Sequence, residues 1–109
     1  MDSLCKIKDL FKKIHQFEQR LNEEHNITIN EAMIICSLSE DKKSSGEIAS
    51  DTGISPSRTS RVLQSLEKKG FIERSFGEDD KRKMMFVLLD SGKGKHTEIK
   101  CIKSEIDFE

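Results

Sequence analysis

The sequence predicts a small, mainly α-helical domain that carries one β-hairpin towards its carboxyl-terminal end. Three observations predict it. Apolar residues recur at intervals of three and four over most of the first 70 positions, the period of a helix with one packed face. Helix-start signatures stand at Thr28 and Ser44, each with a Glu three residues on, and at Ser55, which is followed by Pro56. After Gly70 the period changes, and two short runs rich in strand-forming residues flank a charged loop.

A chain of 109 residues is expected to form one domain, 1–109. At this size roughly two-thirds of the unfolded chain's surface can be buried, enough for a small core without a deep ligand chamber. There is no apolar run near the length that spans a bilayer, and charges interrupt every apolar cluster of the start, Met1-Asp2-Ser3-Leu4-Cys5-Lys6. A cytoplasmic location without a membrane partner is the expectation. The three cysteines, 5, 36 and 101, match neither a disulfide framework nor a paired metal motif and are read as reduced thiols. Net charge is −1, but its distribution is uneven. Residues 1–54 hold 7 basic and 10 acidic side chains, residues 55–83 hold 8 and 5, and residues 84–109 hold 4 and 5. The central segment is therefore locally positive, and local field steers a polyanion.

The first helix is predicted over 3–22, with Leu4, Ile7, Phe11, Ile14 and Leu21 on one stripe, widened by Leu10 and Phe17. That pattern suits either a surface helix packed on its own domain or a helix that pairs with a second copy. The next begins at Thr28 with a capping box to Glu31, and the nearly unbroken run Ala32-Met33-Ile34-Ile35-Cys36 reads as a buried central helix with Cys36 in the core. Residues 40–43 read as a short polar connection. Ser44 and Glu47 cap a short third helix that Gly53 ends.

Ile54-Ser55-Pro56 restarts the chain after a turn of about three residues, so that two helices joined through Gly53 form a helix-turn-helix. On a wheel of 100° per residue the second of them, 55–69, separates cleanly into two faces. Thr59, Val62, Leu63 and Leu66 fall between about 140° and 240° from Ser57 and make the packing face. Ser57, Arg61, Gln64 and Lys68 lie near the opposite pole, flanked by Arg58, Ser60 and Ser65. Lys68 and Lys69 suit the helix end, and Gly70 closes it. Residues 71–76 and 84–89 are the strands and 77–83 the loop of a hairpin, the wing. A last helix, 95–108, carries Ile99, Ile102 and Ile106, with Asp90 or Ser91 available as a cap and Gly92 and Gly94 weakening its first turn. The fold class is a winged helix-turn-helix.

Enzymatic chemistry finds no support in the residues, and neither does a metal or cofactor. His15, His25 and His96 are isolated in sequence, and no phosphate loop, nucleophile elbow or paired-histidine zinc motif occurs. Asp79-Asp80 on a charged loop reads as a solvated turn. Reading a major groove, by contrast, needs Arg for guanine, Gln for adenine and small hydroxyls for close approach. Ser57, Arg58, Ser60, Arg61 and Gln64 supply that set, whereas a merely solvated helix face more typically carries Glu–Lys pairs. Ser44, Ser55, Lys68, Arg74, Lys81, Arg82 and Lys83 complete the candidate DNA-binding set through phosphate or minor-groove contacts. The competing reading is a winged-helix module that binds protein and no DNA.

Ile48-Ala49, Gly53-Ile54-Ser55, Thr59-Ser60-Arg61-Val62-Leu63 and Leu66-Glu67-Lys68-Lys69-Gly70-Phe71-Ile72-Glu73-Arg74, followed by Asp80-Lys81-Arg82 and Leu88 to Gly92, resemble the MarR family of winged-helix regulators. The resemblance runs from about 28 to 94. It implies that Ser57 to Gln64 read the major groove, that Arg82 enters the minor groove steadied by Asp80, and that Arg74 supports the wing base. It also implies a homodimer on a palindromic operator, commonly a repressor, often released by a small phenolic or anionic effector. Two features depart from the family pattern. Leu89 stands where the capping Thr is usual, and only about 18 residues follow the wing region, roughly 27 Å if helical, where members usually have two further helices. The dimer interface is therefore expected to be shared by Leu4, Ile7, Phe11 and Ile14 with Ile99, Ile102 and Ile106, and the effector pocket to be reduced or absent. Some relatives sense peroxide through a thiol near the amino terminus, and Cys5, beside Lys6 and Lys8, is the matching candidate here.

Overall fold

Thr28, Ser44 and Ser55 all act as helix caps. In the computed structural model, which describes residues 2–76 and 83–102, the Thr28 hydroxyl accepts from the Glu31 amide at 3.1 Å while Glu31 Oε1 accepts from the Thr28 amide at 2.9 Å. Ser44 and Glu47 make the same reciprocal pair at 3.2 and 3.0 Å. Ser55 Oγ accepts from the Arg58 amide at 3.3 Å, with Pro56 at the first helical position. Each cap satisfies amides that the first helical turn leaves without a partner.

The helices so started are α2 (Ile29–Glu40), α3 (Ser45–Thr52) and α4 (Pro56–Lys68). They follow a 23-residue α1 (Ser3–His25), three residues longer at its end than the apolar stripe indicated. Strands β1 (Ile72–Phe76) and β2 (Met84–Leu88) and a final α5 (Asp90–Lys100) complete the order. Mainly α with a β-hairpin wing is therefore the architecture found. α2 runs through the centre, burying Ile34, Ile35 and Leu38 against Ile48, Leu63, Leu66, Ile72, Phe86, Leu88 and Ile99. Cys36 is not among them. It is exposed with Met33 three residues before it, because a helix in a domain this thin keeps one wet stripe even when its letters are apolar throughout.

The hairpin pairs antiparallel from Ile72↔Leu88 to Phe76↔Met84. Its inner edge is closed by a residue read in sequence as plain connection. Lys43 exchanges backbone hydrogen bonds with Phe86, at 3.2 Å from the Lys43 amide and 2.8 Å from the Phe86 amide. The Lys43 ammonium meanwhile donates to the Ser37 carbonyl and lies 3.5 Å from Glu40 and 4.0 Å from Asp51. One lysine thus ties the wing sheet to the ends of α2 and α3.

Two glycines set the path of the chain. Gly53 takes φ 77° at the turn between α3 and α4, where a side chain would be strained. Gly92 lets α5 pass beneath β1, since a Cβ there would stand 2.2 Å from the Phe71 carbonyl oxygen. The expected cap of α5 is corrected on the same ground. The helix starts at Asp90 behind Leu89, which offers no side-chain hydrogen bond, and Ser91 instead donates to the Gly70 carbonyl. The Leu89 amide is bonded to the Phe71 carbonyl at 2.9 Å, so the tertiary contact does the work of a cap.

Candidate nucleic-acid interface

α4 presents the two faces expected of it. Thr59, Leu63 and Leu66 are buried and Val62 half-buried, while Ser57, Arg58, Ser60, Arg61, Gln64 and Lys68 are all exposed on the other side. Among the described residues neither Arg58 nor Arg61 is paired with an acid. Glu67, on another face of the helix, is held by Arg74, whose guanidinium donates to it from Nε at 3.0 Å and from Nη2 at 3.1 Å. This two-pronged bond raises the Arg74 pKa above its ordinary value. Arg74 also lies 5.8 Å from the centroid of Phe86. It joins α4 to the wing sheet, where support of the wing base was expected. The Nε/Nη2 edge of its fork is thus engaged within the protein, while the side chain remains about half exposed.

Ser44 and Ser55 spend an acceptor lone pair on capping, which leaves their O–H groups free to donate to a phosphate oxygen. Lys83, at the root of the wing, stands 3.7 Å from Glu47. Glu47's carboxyl is held below its ordinary value, first by the Ser44 backbone amide and to a smaller degree by Lys83. Asp80, Lys81 and Arg82 lie outside the described residues.

Sequence reasoning missed what fixes the far end of α4. Ser65 donates to Glu31 Oε2 at 2.9 Å, and the Lys69 ammonium donates to Glu31 Oε1 at 2.9 Å and to the Asn26 carbonyl at 2.7 Å. The Glu31 side chain is only 3% exposed. Burial acts to raise its pKa, but the bonds from Lys69, the Thr28 amide and Ser65 outweigh it, and the carboxyl sits below its usual 4.5.

The family model of the MarR family matches residues 27–84, more than half of the chain, from the start of α2 to the first residue of β2. The chain belongs to the MarR family. A curated helix-turn-helix transcriptional regulator of Bacillus subtilis, YwhA, is 42% identical to it over 48 residues, 44% of this chain and 34% of that protein, so the chain matches about a third of that relative's length. Among solved structures the YusO protein of Bacillus subtilis is 26% identical, covers 89% of this chain and 70% of its own, and superposes with a TM-score of 0.71. AbsC, a MarR-family regulator from Streptomyces coelicolor, is 24% identical, with 92% and 73% covered and a TM-score of 0.76. That likeness extends the winged-helix fold beyond the matched segment to α1 and α5.

Against other MarR-family expectations the structure is selective. On α1, Leu4 is 70% and Phe11 56% exposed, Ile7 and Leu10 are exposed as well, and Ile14 is half-buried. Ile99, by contrast, is 7% exposed and belongs to the core of its own protomer, with Ile102 packed against it. Ile99 is corrected as an interface residue, because its apolar area is already used, while Ile102 is only half-buried; Ile106 lies outside the described residues. Cys5 is exposed, and its thiol donates to the Asp2 carboxylate at 3.6 Å. His25, isolated in sequence, meets Glu98 at 3.5 Å across α1 and α5. An open apolar groove of about 250 Å³ lies between α1, α2 and α5, lined by Phe17, Leu21, Met33, Cys36 and Ile99 among others. Among the described residues no helix is long and apolar enough to cross a membrane.

Proposed function

We propose that this MarR-family chain is a sequence-specific DNA-binding transcriptional regulator that acts as a homodimer on a pseudo-palindromic operator, most simply as a repressor that occludes it. α4 enters the major groove and the wing, 77–83, lies along the minor groove. The observation that carries the reading is the composition of the exposed α4 face: two arginines without partners among the described residues, a glutamine and small hydroxyls. Arg58, Arg61 and Gln64 set sequence preference, and Lys68 with the serine hydroxyls sets affinity. The homodimer is supported by the apolar stripe on α1, which the chain's own core leaves uncovered. Two copies related by a twofold axis would place their α4 helices one DNA turn apart, about 34 Å.

The test is binding to a duplex selected by the protein from fragmented genomic DNA, over a range of salt. Affinity should fall steeply as salt rises. Arg61→Ala should cost about 1–3 kcal/mol on the selected duplex and relax preference at one base position. Lys68→Ala should weaken all duplexes alike and reduce the salt slope by about 1. Equal binding by the wild type and Arg61→Ala, with no dependence on salt, would leave the protein-binding module as the surviving account.

A further inference from the structure

We infer that Glu31, with Ser65 and Lys69, is a positioning centre for DNA reading: it fixes the roll and height of α4 relative to α1 and α2. The inference rests on the DNA-reading proposal above and adds to it residues that touch no base and no phosphate.

The argument begins with what packing alone leaves loose. α4 is held on its inner face by Thr59, Leu63 and Leu66, and hydrophobic contact is non-directional. Directional bonds fix its first turn, where Ser55 caps it and the Thr59 hydroxyl donates to the Ile54 carbonyl at 3.4 Å. Its last turn has Glu31. Both carboxylate oxygens are used, Oε1 by the Thr28 amide and Lys69, Oε2 by Ser65, each at 2.9 Å. Lys69 then reaches the Asn26 carbonyl, and Asn26 is the left-handed residue, φ 54°, that ends α1. A single buried carboxylate therefore ties the start of α2 to the end of α4, and through Lys69 to the end of α1.

That arrangement suits positioning better than it suits stability alone. A buried ion pair is weak evidence for net stability, since desolvation offsets much of the attraction, but its geometry is strict. Bidentate contacts to base edges tolerate little misplacement. Arg61 and Val62, one turn back from Ser65, border the same hollow of about 330 Å³ as Asn22, Asn26, Thr28 and Lys69. A shift at Glu31 thus moves the surface from which Arg61 projects.

Charge makes the test sharp. Glu31→Gln raises the net charge by one, so electrostatics alone would tighten binding to DNA. A positioning role requires the opposite on the selected duplex. Affinities are measured for the wild type, Glu31→Gln, Ser65→Ala, Lys69→Met and Lys69→Arg, each on the duplex selected by the wild type and on a random 30-base-pair duplex. Glu31→Gln and Lys69→Met should each lose about tenfold on the selected duplex, and Ser65→Ala about threefold. Glu31→Gln should hold or gain affinity on the random duplex, and Lys69→Arg, which keeps the pair, should keep most of the wild-type ratio. The Glu31→Gln/Lys69→Met double variant should be no worse than the poorer single variant. Loss on both duplexes in step with loss of helical signal would show a merely structural role and overturn the inference; Ser65→Ala, which leaves the ion pair intact, keeps the question open to measurement if Glu31→Gln fails to fold. A selected-to-random ratio within twofold of the wild type in every variant would also overturn it. A wild type that itself shows no preference for the selected duplex overturns the DNA-reading proposal, a different result from a selective wild type with equally selective variants.

Discussion

Glu31 shows how far a residue can be read from its neighbours in sequence. Its capping role was legible, because a Glu three positions after Thr28 needs only the geometry of one helical turn. Its bonds to Ser65 and Lys69 were not, since those partners lie 34 and 38 residues away and leave no trace in local spacing. The exposed face of α4 was legible for the opposite reason: Ser57, Arg61 and Gln64 share a pole set by 100° steps, with Arg58 on its flank. Cys36 was misread because a run of apolar letters does not say which of its members is wet. Glu31 also carries a prediction about pH. Its folded carboxyl lies below the ordinary 4.5, so its contribution is fully present above that value and is lost as pH falls through the folded pKa. Urea midpoints of the wild type and Glu31→Gln, compared from pH 7 down to pH 3, should differ most at neutral pH and converge in acid. A gap that stays constant to pH 3 would show that Glu31 is not the group responsible.

At the scale of elements, periodicity carried most of the reading. The period-3.6 stripes located the first four helices, while the last, read over 95–108, spans Asp90–Lys100; the change of period after Gly70 located the hairpin within a residue at each strand end. What escaped has no period. A single residue, Lys43, closes the sheet edge, and one bridge cannot announce itself in a pattern. The start of α5 escaped for a related reason. Gly92 looked like a weakness in a helix, whereas it is the point where the helix passes under the Phe71 carbonyl. The two glycines of α5 should therefore respond in opposite directions to the same change. Gly92→Ala, with a Cβ 2.2 Å from the Phe71 oxygen, should cost about 1–3 kcal/mol in thermal unfolding. Gly94→Ala, with nothing within 4 Å, should stabilise by about 0.5–1 kcal/mol. Equal effects from both would contradict the close approach.

At the scale of the whole molecule, two apolar stripes were visible in sequence but not which of them was spare. Ile99 is consumed by the core of its own protomer because α5 lies across α2, and only the fold reveals that. The stripe of Leu4, Ile7 and Phe11 remains exposed. Sedimentation at micromolar concentration should give a dimer for the wild type and a monomer for the Ile7→Glu/Phe11→Glu variant, with the far-UV helical signal retained. A monomeric wild type would sink the homodimer.

α1 meets the rest of the chain over its second half, through Phe17, Leu21 and the Asn26 junction, while its first three turns are exposed. A 23-residue helix is a rod of about 34 Å. Held over its second half, its free arm from Phe17 to Ser3 is a lever of about 21 Å: a swing of about 10° carries the far tip through about 4 Å. In the proposed dimer, a displacement of several ångströms between two paired tips would arrive at the Glu31 junction as a small rotation, delivered beside α4.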